Sequence, residues 1–126
     1  MKRRIAAALL VTLLPLGMAA CGSQSKADAC KEVQGAATKV VEDFSASSAA
    51  LTDPQALKDQ MAKTADTFKE AAKKVSNKEV KDVLDPYVES LDKLKDMDPA
   101  GAMSGDTEYS AAVSDSSTKA NALASL

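Results

Sequence analysis

The chain has 126 residues, with 16 Lys and Arg against 18 Asp and Glu, for a formal net charge of −2. It contains no His and no Trp, and its only aromatics are two Tyr and two Phe. Those absences exclude His-dependent triads, imidazole acid/base work and His metal ligands, and they argue against a pocket built on aromatic stacking.

The chain opens with three cations, Lys2, Arg3 and Arg4, followed by an apolar run from Ile5 to Leu14, then Pro15, Gly17 and small residues leading into Cys21. That order of charge, apolar run and small residues is the pattern of a secretory signal segment. A membrane-spanning helix needs about 20 unbroken apolar residues to cross roughly 30 Å of hydrocarbon, and Pro15 and Gly17 interrupt a shorter run. Met18-Ala19-Ala20-Cys21 resembles a bacterial lipobox, with Met18 standing where Leu is usual. The resemblance implies cleavage before Cys21 and covalent diacylglyceryl and N-acyl lipid on that residue, with no other cofactor. Several acyl chains anchor stably where one holds marginally. The expected organisation is a signal peptide over 1–20, a lipidated Cys21 and tether over 21–25, and a helical domain over 26–126.

Without Lys2, Arg3 and Arg4, the part from Cys21 onward has 13 Lys, no Arg and 18 acids, a net of −5. A nucleic-acid partner is not expected, because phosphate binding calls for a basic face. An anionic lipid surface would also repel this domain, so membrane attachment has to come from lipid. At 106 residues the mature chain suffices for one small domain.

Ser25, with Asp28 three residues on, resembles a capping box. Beyond it Cys30, Val33, Ala37, Val40, Phe44, Ser47 or Ser48 and Leu51 recur at the spacing of one helix face, which predicts a first helix from about Lys26 to about Ala50. Asp53 and Pro54 then supply a cap and a first helical position. The second helix carries Leu57, Met61, Ala65, Phe68, Ala72 and Val75 inward, and Asp59/Lys63, Asp66/Lys69 and Glu70/Lys74 as surface ion-pair spacings. Ser76 with Glu79 reads as a further capping box. The third helix follows with the longest apolar stripe of the chain: Val80, Val83, Leu84, Tyr87, Val88, Leu91, Leu94 and Met97. Pro86 lies inside that stripe, and because the period does not slip across it, a kink is expected rather than a break with Asp85 capping a new start. Asp98-Pro99 ends the helix, residues 100–105 read as a loop, and a last helix begins near Asp106 with the small-residue face of Tyr109, Val113, Ser116, Ala120 and Leu123. Nothing alternates with the period of a strand. The expected fold is an all-α, up-down-up-down four-helix bundle, with a three-helix core and a loosely attached last helix as the alternative.

One constellation stands out chemically. Asp82, Asp85, Glu89, Asp92 and Asp96 fall within about 80° of arc on the third helix and form an acidic stripe. They are candidates for a face that docks a basic partner, but carboxylates strung along a helix diverge and are poorly placed to converge on a cation, so no metal site is expected. A solvated outer face accounts for the same pattern. No Ser has an evident activator and no acid falls on an apolar face, so no catalytic residues are assigned and the chain is not expected to be an enzyme. If Cys21 is lipidated, Cys30 is left as a free thiol, read as a small apolar residue of the first helix; should Cys21 escape acylation, a Cys21 to Cys30 bridge becomes available.

Taken with the lipobox, the chain resembles the small Ala-rich helical lipoproteins of actinobacteria. That resemblance implies a site on the outer face of the cytoplasmic membrane. The functional expectation is a lipid-anchored, non-enzymatic interaction module with an envelope protein as partner. The alternative is a small apolar-ligand or lipid carrier, using space that Pro86 and the small-residue last helix open between helices.

Overall fold

The computed structural model describes residues 24–47 and 52–126. All of the regular structure among them is helical: α1 (Lys26–Ala46), α2 (Pro54–Lys74), α3 (Lys78–Asp96), α4 (Ala100–Ser104) and α5 (Thr107–Ala124). No helix among the described residues is long and apolar enough to cross a membrane. The lipobox and Cys21 lie outside the described residues, as do Ser48 and Leu51 of the expected first-helix face; α1 itself ends four residues short of the expected Ala50, at Ala46, where the Ser47 amide donates to the Phe44 carbonyl.

The helix starts follow local chemistry. Ser25 Oγ accepts the Asp28 amide at 3.1 Å and donates to Asp28 Oδ2 at 2.7 Å, which begins α1. Asp53 accepts the Gln55 amide at 2.9 Å ahead of Pro54, as the Asp-Pro pair requires. The start of α3 departs from expectation by one residue. Its cap is Asn77, whose side chain accepts the Val80 amide, and not Ser76. Ser76 is engaged elsewhere, accepting from the Gln24 amide at 3.1 Å.

A second departure is α4, where a loop was expected. Asp98 Oδ1 accepts the Ala100 amide at 2.9 Å, and Pro99 presets the first turn. Gly105, at φ 73, ends it in the left-handed conformation that glycine adopts without a Cβ penalty, and the Gly101 carbonyl accepts the Asp106 amide. Gly101 itself is tightly packed, since a Cβ there would lie 3.2 Å from Tyr109 Cβ.

α3 runs unbroken through Pro86, so no second helix starts at Asp85. Pro86 has no amide to offer the Asp82 carbonyl, the usual loss when proline sits inside a helix. The helix survives because both flanks of its apolar stripe are covered. α3 packs against α2 on one side and α5 on the other, while α1 packs chiefly on α2 and touches α3 more lightly. Val80, Leu84, Val88, Leu91 and Leu94 of α3 are buried, with Ala65, Phe68, Ala71 and Val75 of α2 and Ala29, Val33 and Ala36 of α1. Phe68 and Tyr87 meet edge to face with ring centroids 5.0 Å apart, an arrangement that aromatic pairs favour.

α5 is held differently. Only Tyr109 and Ser116 are buried in it, and Tyr109 Oη donates to Met61 Sδ at 3.7 Å. Its small residues let it approach α3 closely but cover little area. Because α5 packs on α3 without closing on α1, one seam of the bundle stays open.

Leu84 and Val80 are the largest side chains fully removed from solvent. Leu84→Ala is expected to lower unfolding free energy by about 3 kcal/mol, through lost transfer energy plus a cavity. Val113→Ala, at a side chain left 40% exposed, should change it by no more than about 0.5 kcal/mol. Urea denaturation followed by circular dichroism checks both.

Candidate functional site

The acidic stripe of α3 is largely occupied by lysines. Lys78 Nζ reaches Asp82 Oδ2 at 2.6 Å and Lys81 Nζ reaches Asp85 Oδ1 at 3.1 Å, both one turn away on the same helix. Asp92 sits between Lys69 of α2 and Lys95, each at 2.8 Å. These contacts hold the Asp92 carboxyl below its ordinary value, with the Lys69 hydrogen bond contributing most and the Lys95 hydrogen bond next. Glu89 and Asp96 are exposed. The stripe is therefore not one uniform anionic face: Asp92 ties α3 to α2, and two more of its carboxylates carry their own cations. No group of three acidic or cysteine side chains among the described residues is arranged to hold a metal ion.

Lysines assigned by spacing to neighbours on α2 reach further. Lys69 bridges to Asp92, and Lys74 approaches Glu32 of α1 at 3.9 Å. Glu70 takes Lys73 at 2.6 Å instead. A side chain with four rotatable bonds selects its partner from the whole fold, which helical spacing does not describe.

At one end of the bundle a polar clamp fixes the entry of the chain. Gln24 donates its amide to Ser76 Oγ, accepts the Ser76 amide on Oε1 at 3.1 Å, and accepts Asn77 Nδ2 on its carbonyl at 3.1 Å. Lys26 adds a 2.6 Å contact to Glu79. Gln24 is thereby tied to the α2–α3 connection.

The open seam lies in the same half of the molecule. Between α1 and α5 is a groove of about 400 Å³. Cys30, Val33, Gln34 and Ala37 form one wall, Ala120, Leu123, Ala124 and Leu126 the other, and Phe68 and Tyr87 the floor. Cys30 carries a free, half-buried thiol on this wall. Burial raises the Tyr87 phenol above its ordinary 10.0, so it stays neutral at physiological pH. The lining is thus mainly apolar, with a thiol, an amide and a neutral phenol as its polar groups. It suits an uncharged apolar ligand section, and its volume falls within the usual range of about 300–1000 Å³ for small-molecule sites. The seam between α1 and α2 is of another kind, since Lys31, Glu32, Lys39, Asp66, Glu70 and Lys74 line it with both signs of charge.

No family model, curated protein or solved structure matches the chain.

The acidic stripe was readable from spacing, but the groove was not. Its walls come from residues about 90 positions apart, and nothing local announces that α5 leans on α3 and not on α1. The one hint was the run of small residues on the last helix.

The ion contacts give a pH profile. Asp28, Glu70 and Asp92 all have lowered pKa values, through the Ser25 hydroxyl, Lys73 and Lys69 respectively. Each contributes stability that is present above its ordinary value, 3.8 for Asp and 4.5 for Glu, and is lost as pH falls through the lower folded value. Lys26, Lys73 and Lys95 are raised, so their contribution is present below 10.5 and lost above it. Unfolding free energy should therefore be flat between about pH 5 and 10 and fall on either side. Asp92→Asn should cost about 0.5–1 kcal/mol at pH 7, the modest value of a partly exposed pair, and make the acid limb shallower. Urea midpoints across a pH series measure both effects.

Proposed function

We propose that the mature chain is a non-enzymatic binding module, anchored through lipid on Cys21 to the outer face of the cytoplasmic membrane, which takes up an acyl chain in the groove between α1 and α5. The observation that carries this reading is the groove itself: an open apolar seam in the half of the molecule where Gln24, three residues after Cys21 in sequence, is clamped. The charges on the domain do not favour adsorption to anionic lipid, so the acyl anchor supplies attachment and the groove supplies contact with apolar chains. Docking of an envelope protein on the acidic stripe receives less support, because Lys69, Lys78, Lys81 and Lys95 already meet its carboxylates.

Two measurements test the halves of this reading. Intact-mass analysis of protein extracted from membranes should give a chain beginning at Cys21 with acyl groups attached, and Cys21→Ala should lose that species; an unmodified secreted chain would contradict the anchor. Separately, the unacylated Cys21→Ala protein should bind palmitate one to one in native mass spectrometry and calorimetry. Ala120→Trp, which fills the groove from α5, should weaken that binding at least tenfold while leaving helicity unchanged. Reversing charge at Asp82 and Glu89 should leave it intact. Failure of the parent protein to bind, or indifference to Ala120→Trp, would overturn the groove assignment.

A further inference from the structure

We infer that the resident occupant of the groove is the protein's own amide-linked acyl chain on Cys21, so that two chains of the anchor hold the membrane while the third folds back between α1 and α5. This rests on the groove reading above and adds the identity of the ligand.

Reach comes first. Gln24 is fixed by three hydrogen bonds to Ser76 and Asn77, and Cys21 precedes it by three residues, which span at most about 11 Å. From Gln24 to Cys30, at the groove wall, is about 9 Å along α1. The acyl attachment therefore lies within roughly 20 Å of the groove even with the tether fully extended, and closer with any bend in it. So short a tether makes entry intramolecular, at an effective concentration on the order of millimolar, which no free lipid at low abundance matches.

The energetics favour the third chain in particular. Moving an acyl chain from bilayer to groove changes its own surroundings little, since both are apolar. The gain comes from the groove, whose apolar walls would otherwise face water, and it grows with the area covered. Two chains suffice for stable anchoring, so withdrawing the third does not release the protein.

Cys30 is a built-in reporter. In the acylated protein the Cys21 sulfur is a thioether, so Cys30 is the one thiol of the mature chain and it lines the groove. Its rate of reaction with N-ethylmaleimide should be measured in three preparations on phosphatidylcholine bilayers. These are the acylated protein, a Cys21→Ala protein captured at equal density through an N-terminal histidine tag on nickel-chelating lipid, and an acylated Cys30→Ser, Lys78→Cys variant. Lys78 lies near the clamped end, outside the groove, with its side chain 87% exposed. Occupancy by the protein's own chain predicts that Cys30 reacts at least tenfold more slowly in the acylated protein than in the captured one, while the thiol at 78 stays fast. Equal slow rates in acylated and captured proteins would overturn the inference in favour of a bilayer lipid as occupant. Slow reaction at position 78 as well would overturn it in favour of shielding by the membrane surface. Equal fast rates, with palmitate still protecting Cys30 of the soluble Cys21→Ala protein, would show a groove without its own chain. Fast rates that palmitate does not slow would sink the groove reading itself.

Discussion

Burial of the apolar stripe of α3 is the constraint on which the other helices depend. Val80, Leu84, Val88, Leu91 and Leu94 present more apolar surface than one neighbour covers, and α2 and α5 settle on opposite flanks of it. The same burial explains why Pro86 is tolerated, since the packing on both sides outweighs a lost backbone hydrogen bond. It also explains the open seam. α1 packs chiefly on α2 and α5 on α3, and with small residues on α5 there is too little side-chain volume to close the fourth contact.

How much of this was legible in the sequence depends on the range of the interaction concerned. Features set within one turn were readable: the Ser25 and Asp53 caps, the start of the last helix near Asp106, the inward faces of α2 and α3, and continuity through Pro86. The short α4 was missed although Asp98-Pro99 repeats the Asp53-Pro54 start signal, because its five residues are too few to show a period. The cap of α3 was displaced from Ser76 to Asn77 because Ser76 is taken by Gln24, 52 residues earlier. Lys69 and Lys74 left their expected helical partners for acids on other helices, and in doing so converted Asp92 from a surface charge into a tie between α2 and α3. Apart from α4, each departure came from a partner distant in sequence, and the groove is the largest instance.

The functional account combines a local signal and a non-local shape. The lipobox-like stretch ending at Cys21 is a linear motif, readable without a fold, and the proposed attachment rests on it. The groove is a property of helix arrangement and implies capacity for an apolar chain. Gln24 is the described residue nearest that motif, and its hydrogen bonds to Ser76 and Asn77 hold it at the end of the bundle where α1 begins.

The central claim is that the seam between α1 and α5 is an open apolar groove that receives an acyl chain. The most direct measurement is solution NMR of the unacylated Cys21→Ala protein with a carbon-13-labelled fatty acid, reading nuclear Overhauser contacts between chain methylenes and the protein. The account predicts contacts to Phe68, Tyr87 and Leu123 together. Contacts running directly from Ala37 to Ala120, with none to the fatty acid, would mean that the seam is closed and would contradict it.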